Sequence, residues 1–151
     1  MPGRPSSGDG DQDRRARSLR LRGDFDVQVD YRLLDWPPSN GVHLGFGTGW
    51  PQAVGRQNLG RELVFAWFPP SIVNEPFDDL AGSLRLVRRG GFITGYMRHD
   101  GSRLKLLDAP SPHTQTTIQL SVSAVAGEFG HEHVKVAFDN FRINAGRLVC
   151  A

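Results

Sequence analysis

The sequence predicts an all-β domain of antiparallel strands, arranged as a two-sheet sandwich or a barrel. From Leu19 onward apolar and polar residues alternate with a period of two, the pattern of half-buried strands. Roughly eight or more such runs follow one another, separated by turn sequences, which is typical of sandwiches and barrels. The chain contains no convincing long amphipathic helix, and only the segment from Ser71 to Leu80 is predicted to hold a helical turn.

The first predicted strand is the longest. Its apolar positions are Phe25, Val27, Val29, Tyr31 and Leu33, and the residues between them are Asp, Gln and Arg. Alternation of this kind places the apolar side chains on one face and the polar ones on the other. We therefore expect a strand that is buried on one side and solvated on the other.

Two shorter strands follow the turn sequence WPPSNG at residues 36–41. The apolar positions of these strands are predicted to face the core: Val42, Leu44 and Phe46 in one strand, and Leu63, Phe65 and Trp67 in the next. Trp36 precedes a proline and is expected to pack at a strand end.

A hairpin is predicted in the second half of the chain. The sequence SLRLVRRGGFITGYMR at residues 83–98 holds two strand patterns separated by Gly90 and Gly91, which supply the positive φ of a tight turn. Further strands are predicted at residues 104–107, 116–125 and 133–144.

The last of these strands, HVKVAFDNFRIN, changes its phase in the middle. Phe138 and Phe141 are three residues apart, so a regular strand would place them on opposite faces. A β-bulge at Asp139 and Asn140 would bring both rings to the core, and Asp and Asn tolerate the backbone of a bulge. The alternative is that Asp139 and Asn140 contact a ligand or a calcium ion.

Composition limits the function classes. The 151 residues suit one domain, and a net charge of +2 does not argue for a nucleic-acid partner. The chain contains no run of about 18 apolar residues, so no membrane span is predicted. Residues 1–17 are almost free of apolar side chains and are predicted to be a disordered arm or linker, and residues 18–151 form the predicted domain. The sequence leaves the compartment open.

Three motifs together resemble a known superfamily. They are LRGDFDVQVDYRL at 21–33, the hairpin at 83–98, and VKVAFDNFRIN at 134–144. In this order and spacing they resemble the concanavalin A-like lectin/glucanase superfamily, and more narrowly small bacterial domains of that fold with unknown function. The resemblance implies a jelly-roll sandwich with one concave and one convex sheet. It also implies carbohydrate binding on or beside the concave sheet in some members, glycoside hydrolysis in others, and interaction roles in many.

The carboxylates do not support hydrolysis. Glycoside hydrolases need two carboxyl groups facing the sugar, and the glucanase run Glu-x-Asp-x-x-Glu is absent from this chain. Asp24, Asp26 and Asp30 share the polar face of the first strand, where a solubilising role is expected. The chain is therefore predicted not to be an enzyme.

The stretch GFGTGW at 45–50 is the main candidate binding element. Gly45, Gly47 and Gly49 share one face, which indicates either close packing or a shallow groove with Trp50 as a stacking platform. We predict a non-catalytic carbohydrate-binding, lectin-like module whose ligand contacts Trp50, His43, Arg98 and His99. The alternatives are a structural or protein-interaction domain of a larger protein and, more weakly, a glycoside hydrolase.

No cofactor is expected, although calcium is a candidate because carboxylate, amide and carbonyl oxygens suit it. Asp139 and Asn140 are its candidate ligands. His131 and His133 would project to one side of an extended segment, as a transition-metal site requires, but a polar surface is the simpler interpretation. The predicted partners are a carbohydrate or glycan polymer, or another protein domain.

Overall fold

A computed structural model describes residues 17–49, 52–99, 101–112, 115–125 and 127–149. Within these residues the chain forms ten strands and no helix, and so none of them belongs to a helix that could span a membrane. The strands are β1 (Arg17–Asp35), β2 (Val42–Gly49), β3 (Gln52–Gln57), β4 (Leu63–Phe68), β5 (Ser71–Pro76), β6 (Ala81–Arg89), β7 (Phe92–His99), β8 (Ser102–Pro110), β9 (Gln115–Ala124) and β10 (Lys135–Val149). The predicted arm, except Arg17 in β1, lies outside the described residues.

Strand β1 joins two antiparallel sheets. Its first part, from Arg17 to Arg22, pairs with β9, and its second part, from Phe25 to Arg32, pairs with β6. Gly23, with a φ of 75°, lies where the partner changes. Strand β10 pairs with β1 along its other edge. The larger sheet therefore has the order β5-β4-β3-β2-β9-β1, and the smaller sheet has the order β1-β6-β7-β8.

The two sheets pack face to face. Strand β3 contacts β6 and β7, and β4 and β5 contact β8. The approach is close, because a Cβ atom added to Gly95 of β7 would come within 2.4 Å of the Val54 side chain of β3. The core holds alternate residues of both sheets, among them Val27, Val29, Leu44, Phe46, Val54, Ala66, Phe68, Leu84, Leu86 and Met97. This architecture confirms the predicted all-β, antiparallel, two-sheet sandwich.

Two predictions about β4 and β5 are wrong. In β4 the residues that face the core are Val64, Ala66 and Phe68, and Trp67 is only half-buried. The sequence LVFAWF is apolar in both phases, so alternation could not choose between them. The helical turn predicted within residues 71–80 is instead strand β5, because its backbone pairs with the open edge of β4 from Leu63 to Phe68.

The bulge predicted in β10 is confirmed. Gln28 pairs with Arg142 and Asp30 pairs with Asp139, so β10 holds one more residue than β1 between these pairs. Asn140 has a φ of 52°, and its backbone N–H donates to Oδ1 of Asp139 at 2.8 Å.

The extra residue places both phenylalanines on the core side of β10. Phe138 packs against the core cluster. Phe141 remains 38% exposed, and its ring meets that of Phe46 edge to face, with 5.9 Å between their centroids. The phase change in the sequence therefore corresponds to a β-bulge, which sets the register in which β10 pairs with β1.

Among the described residues, Arg56 is a charged side chain that lies fully inside the core. The side chain of Arg56 is fully buried and points inward from β3, where its guanidinium lies over the rings of Tyr31 and Phe77. Its donors reach the Tyr31 hydroxyl at 3.1 Å, a Glu62 carboxylate oxygen at 3.4 Å, and the backbone carbonyls of Leu63, Phe77 and Asp79. None of these acceptors belongs to β3. Arg56 therefore holds several separate segments together at one end of the sandwich.

Two buried asparagines, Asn40 before β2 and Asn58 after β3, hold the neighbouring loops. Asn58 accepts from the N–H of Val42 at 2.8 Å and donates to the carbonyl of Pro37 at 2.8 Å. Asn40 makes two hydrogen bonds to the backbone of Glu132, one through each end of its amide. These bonds satisfy backbone groups that strand pairing leaves unpaired. Trp36 packs beside them against the core and donates to Glu62 at 3.0 Å, which confirms its predicted packing role.

Candidate functional site

Five strands of the larger sheet form an uncharged surface on its outer side, and the sixth strand, β1, borders this surface with Arg20 and Arg22. Strand register aligns the outward positions of β9, β2, β3, β4 and β5 into one face. We call it the uncharged face, and its described positions are Gln115, Thr117, Gln119, Ser121, Ser123, His43, Gly45, Gly47, Ala53, Gly55, Gln57, Leu63, Phe65, Trp67, Ile72, Asn74 and Pro76. None of these is an Asp, Glu, Lys or Arg. The face instead offers hydroxyl, amide, imidazole and aromatic groups.

His43 lies in the middle of the uncharged face. Its Nε2 lies 3.0 Å from Oγ of Ser123, and its ring meets the ring of Phe65 edge to face at 6.4 Å. Burial lowers the pKa of His43 below its usual 6.5. The imidazole is therefore neutral at neutral pH and takes part in hydrogen bonds without adding charge to the face.

Two glycines of this face, Gly47 and Gly55, allow close packing. A Cβ atom on Gly55 would lie 1.9 Å from the Leu44 carbonyl oxygen and 2.9 Å from the ring of Phe65, and one on Gly47 would lie 2.0 Å from the Gln52 carbonyl oxygen. The ring of Phe65 therefore lies over the Gly55 backbone. In the predicted glycine row, Gly47 supports close packing, whereas a Cβ atom on Gly45 would meet nothing closer than 3.4 Å, so the row does not decide between packing and a shallow groove. The predicted stacking platform, Trp50, lies outside the described residues.

Arg98 and His99 lie elsewhere on the molecule. Arg98 is exposed on the outer side of the smaller sheet, whereas His99, at the end of β7, pairs with Asp79 and meets the ring of Phe77 at 5.3 Å. Both line a cavity of about 530 Å³ together with Asp79. The core separates them from His43, so the structure brings together two of the predicted ligand residues and places a third on the opposite side of the sandwich.

The carboxylates of β1 are engaged in cross-strand bonds. Asp26 pairs with Arg85, and Asp24 lies 3.2 Å from Arg88. Burial raises the pKa of Asp30, but hydrogen bonds from Ser83 and Asn140 outweigh that effect and hold the pKa below its usual value. The sequence predicted a solubilising face here, whereas these carboxylates also form ion pairs and hydrogen bonds between strands.

The candidate calcium ligands have partners within the bulge. Nδ2 of Asn140 donates to Asp30 at 2.9 Å, and Asp139 accepts from the Asn140 backbone. Among the described residues, no three His, Cys, Asp or Glu side chains are grouped closely enough to hold a metal ion. His133 lies 2.7 Å from Asp35, whereas His131 lies against Phe129. Whether the protein binds calcium stays a prediction.

Sequence reasoning missed several residues of the uncharged face. Phe65 and Trp67 were assigned to the core, and Ser121 and Ser123 were not proposed as site residues. The signal was present in part, since Ser121 and Ser123 alternate with apolar residues in β9. Their proximity to His43 depends on the pairing of β2 with β9, which joins segments about 80 residues apart in the chain.

No protein-family model matches the chain, and no curated protein matches it in sequence. Solved structures do match. A functionally unknown protein from Saccharomyces cerevisiae aligns with a TM-score of 0.63 and 14% identity, over 85% of this chain and 72% of that one. A Bacillus licheniformis β-glucanase aligns with a TM-score of 0.56 and 16% identity, over 87% of this chain and 78% of that one.

A third match is the carbohydrate-binding module CBM66 from Bacillus subtilis, with a TM-score of 0.50 and 14% identity, over 85% of this chain and 78% of that one. Identities this low relate backbones and not activities. The β-glucanase and the carbohydrate-binding module are both concanavalin A-like jelly rolls. Together with the strand order described above, these matches establish that the chain has the concanavalin A-like jelly-roll fold.

Proposed function

We propose that this chain is a non-catalytic glycan-binding module that holds a neutral saccharide on the uncharged face. The observation that carries the proposal is the lack of charged side chains across five adjacent strands at the described positions of this face. Protein surfaces are ordinarily rich in Lys, Glu, Asp and Arg. A surface without them suits a ligand that is itself uncharged.

The groups on the uncharged face have the chemistry that a sugar needs. Ser121 and Ser123 are exposed, and His43, Gln57 and Gln119 are half-buried beside them. Their hydroxyl, imidazole and amide groups both donate and accept hydrogen bonds, as sugar hydroxyls do. An aromatic ring can cover the apolar side of a sugar ring, and the half-buried Trp67 lies on the same face.

The size of the face favours an oligosaccharide over a single sugar. Five strands at the usual spacing give a width of about 19 Å. Contacts spread over such a width suit an extended chain, in which several weak contacts add to one useful affinity.

The absence of acids supports binding over hydrolysis. A glycoside hydrolase places two carboxyl groups on either side of the bond that it cleaves, and the described positions of the uncharged face hold none. The names of two structural neighbours, a carbohydrate-binding module and a β-glucanase, support a sugar ligand without deciding between binding and cleavage.

One observation favours a second candidate, a protein-interaction module. Ile72 is 56% exposed on the same face as Trp67, and cores of protein interfaces are also poor in charge and rich in aromatic residues. Binding of a glycan should weaken when the hydroxyl and amide residues are substituted. Binding of a protein partner should weaken mainly when Ile72 or Trp67 is substituted.

The test is affinity electrophoresis through gels that contain neutral polysaccharides, after a glycan array with and without calcium selects the ligand. Ser121→Arg places a bulky charge on the uncharged face and is expected to weaken binding at least tenfold. Ser102→Arg is the matched control, because Ser102 is also exposed but belongs to β8 of the smaller sheet. Trp50→Ala tests the predicted stacking residue separately.

Two results would overturn the proposal. One is a glycan array without any neutral ligand. The other is retention of full binding by Ser121→Arg in a variant that melts like the wild type. Loss of binding in Ser102→Arg alone would move the site to the smaller sheet.

A further inference from the structure

The outer side of the smaller sheet carries a cluster of arginines that the proposed function does not use. Arg85, Arg98 and Arg103 surround Tyr96 and line a cavity of about 210 Å³ together with Gln28 and Gly101. We call these three residues the arginine cluster. It lies on β6, β7 and β8, whereas the uncharged face lies on the other sheet.

Strand register forces two of these arginines together. Arg98 of β7 is directly opposite Arg103 of β8, and both side chains are exposed on the same surface. Like charges at directly opposed positions of an antiparallel pair destabilise the sheet. The repulsion between Arg98 and Arg103 therefore lowers the stability of the sheet. An anion bound between the two guanidinium groups would remove this repulsion.

Only part of this charge is neutralised by described residues. Arg85 makes a two-point contact with Asp26, with its Nε 2.7 Å from Oδ1. Arg98 and Arg103 have no carboxylate partner within the described part of the chain. The neighbouring Asp100 lies outside that part. The described walls of the cavity therefore carry two positive charges that their own carboxylates do not balance.

Tyr96 holds two of the guanidinium groups in place. The guanidinium carbon of Arg85 lies 5.6 Å from the centre of the ring, and that of Arg103 lies 5.2 Å from it. Contacts at this distance are attractive and restrict long side chains. The arginines are therefore partly ordered before any ligand arrives, which lowers the entropic cost of binding.

From these observations we infer that the arginine cluster is an anion-binding site that takes one oxyanion group, a carboxylate or a sulfate. Guanidinium groups bind such groups through paired, charge-assisted hydrogen bonds. The volume of the cavity equals that of about seven water molecules in the liquid, enough for one oxyanion and part of its hydration shell. Two sources share this chemistry, a free small anion and the acidic group of a polysaccharide.

The first experiment measures thermal unfolding of the full chain in sodium sulfate and in sodium chloride of equal ionic strength. Wild type is expected to gain several degrees more from sulfate than from chloride, and Arg98→Gln/Arg103→Gln is expected to lose this difference. Without sulfate the double variant should melt at or above the wild-type temperature, because the opposed charges are gone.

The matched control is Arg61→Gln/Arg89→Gln. It removes the same charge from two exposed arginines outside the arginine cluster, so the sulfate effect should persist. The inference fails if the double variant at positions 98 and 103 responds to sulfate like the wild type. It also fails if the control variant loses the response equally, because the effect would then follow net charge alone.

The second experiment separates the two sources of the anion. Affinity electrophoresis in dextran sulfate, with unmodified dextran as the neutral control, should retard wild type at least tenfold more than the variant at positions 98 and 103 if the ligand is an acidic polysaccharide. Stabilisation by free sulfate without retardation assigns the site to a small anion. A neutral glycan bound by the uncharged face is unaffected by this variant, so failure here and failure of the proposed function are distinguishable.

Discussion

Replacing the buried Arg56 should destabilise the protein more than any surface change. Its side chain has no exposed area, and its five hydrogen-bond acceptors include three backbone carbonyls. In Arg56→Met the apolar stem is largely replaced, but these acceptors lose their donor in a place that water reaches poorly. Removing one partner of a buried, charged network costs about 3–5 kcal/mol.

The magnitude can be checked against its parts. Each buried polar group left without a partner costs about 1–3 kcal/mol, and the three carbonyls alone account for the expected range. Glu62 adds little, since its side chain is 26% exposed and can be hydrated. For a domain of this size, about 3–5 kcal/mol corresponds to a fall in melting temperature of roughly 6–20 °C.

The assay is chemical denaturation followed by circular dichroism, with thermal melting as a second measurement. Arg56→Lys should fall between wild type and Arg56→Met, because an ammonium keeps the charge but cannot reproduce the planar fork. Arg61→Ala is the control, since Arg61 is exposed, and its effect should stay within about 0.5 kcal/mol. A loss below about 1 kcal/mol for Arg56→Met would refute this account of the network.

Three further predictions concern the backbone and pH. Asn140→Val should lower the free energy of unfolding by about 1–3 kcal/mol, because a β-branched residue is strained at positive φ. Asn140→Gly should lower it much less. Equal losses for the two variants would mean that the bulge does not depend on φ. Gly55→Ala should destabilise the fold because its Cβ would overlap the Leu44 carbonyl, whereas Gly45→Ala, with its nearest contact at 3.4 Å, should be tolerated; the reverse order of melting temperatures would contradict the packing. Since burial lowers the pKa of His43, its stabilising contribution is present above pH 6.5 and is lost as the pH falls through the folded-state pKa. His43→Gln should therefore lose less stability than wild type between pH 7 and pH 5. Coincident curves of stability against pH for the two proteins would exclude this role of His43.

Features of the fold that depend on neighbouring residues could be predicted from the sequence. The alternation in β1 and the Gly90-Gly91 turn between β6 and β7 were sufficient, because strand period and turn conformation are local properties. The bulge at Asp139 and Asn140 was predictable for the same reason, since the spacing of Phe138 and Phe141 requires an added residue if both contact the core.

Other elements depended on partners that the sequence does not identify. Strand β3, QAVGRQ, contains one large apolar residue and an arginine, and it becomes a strand because β2 and β4 pair with its two edges. The phase of β4 was also undecided locally, since LVFAWF is apolar throughout. Packing of Val64, Ala66 and Phe68 against the opposite sheet placed Trp67 outside.

The candidate site shows the same division. The sequence identified His43, Arg98 and His99 as polar groups at strand positions, and it could not say that the first lies on a different sheet from the other two. Sheet membership depends on which distant strands pair, and those pairings are stabilised by burial summed over the whole core. The uncharged face and the arginine cluster each consist of residues from several strands, so neither exists in any one segment of the sequence.

The sequence by itself determined three features of this protein: the antiparallel β class, the bulge in the closing strand and the tight glycine hairpin. These features follow from the periodicity of the residues and from local backbone preferences. Only the tertiary structure decided which side of each strand faces solvent, where Arg56 finds its acceptors, and which surfaces the polar residues share. The physical reason is that hydrogen bonds between strands and burial between sheets join residues that are distant in the sequence. These interactions form only when the distant segments come together in the folded chain.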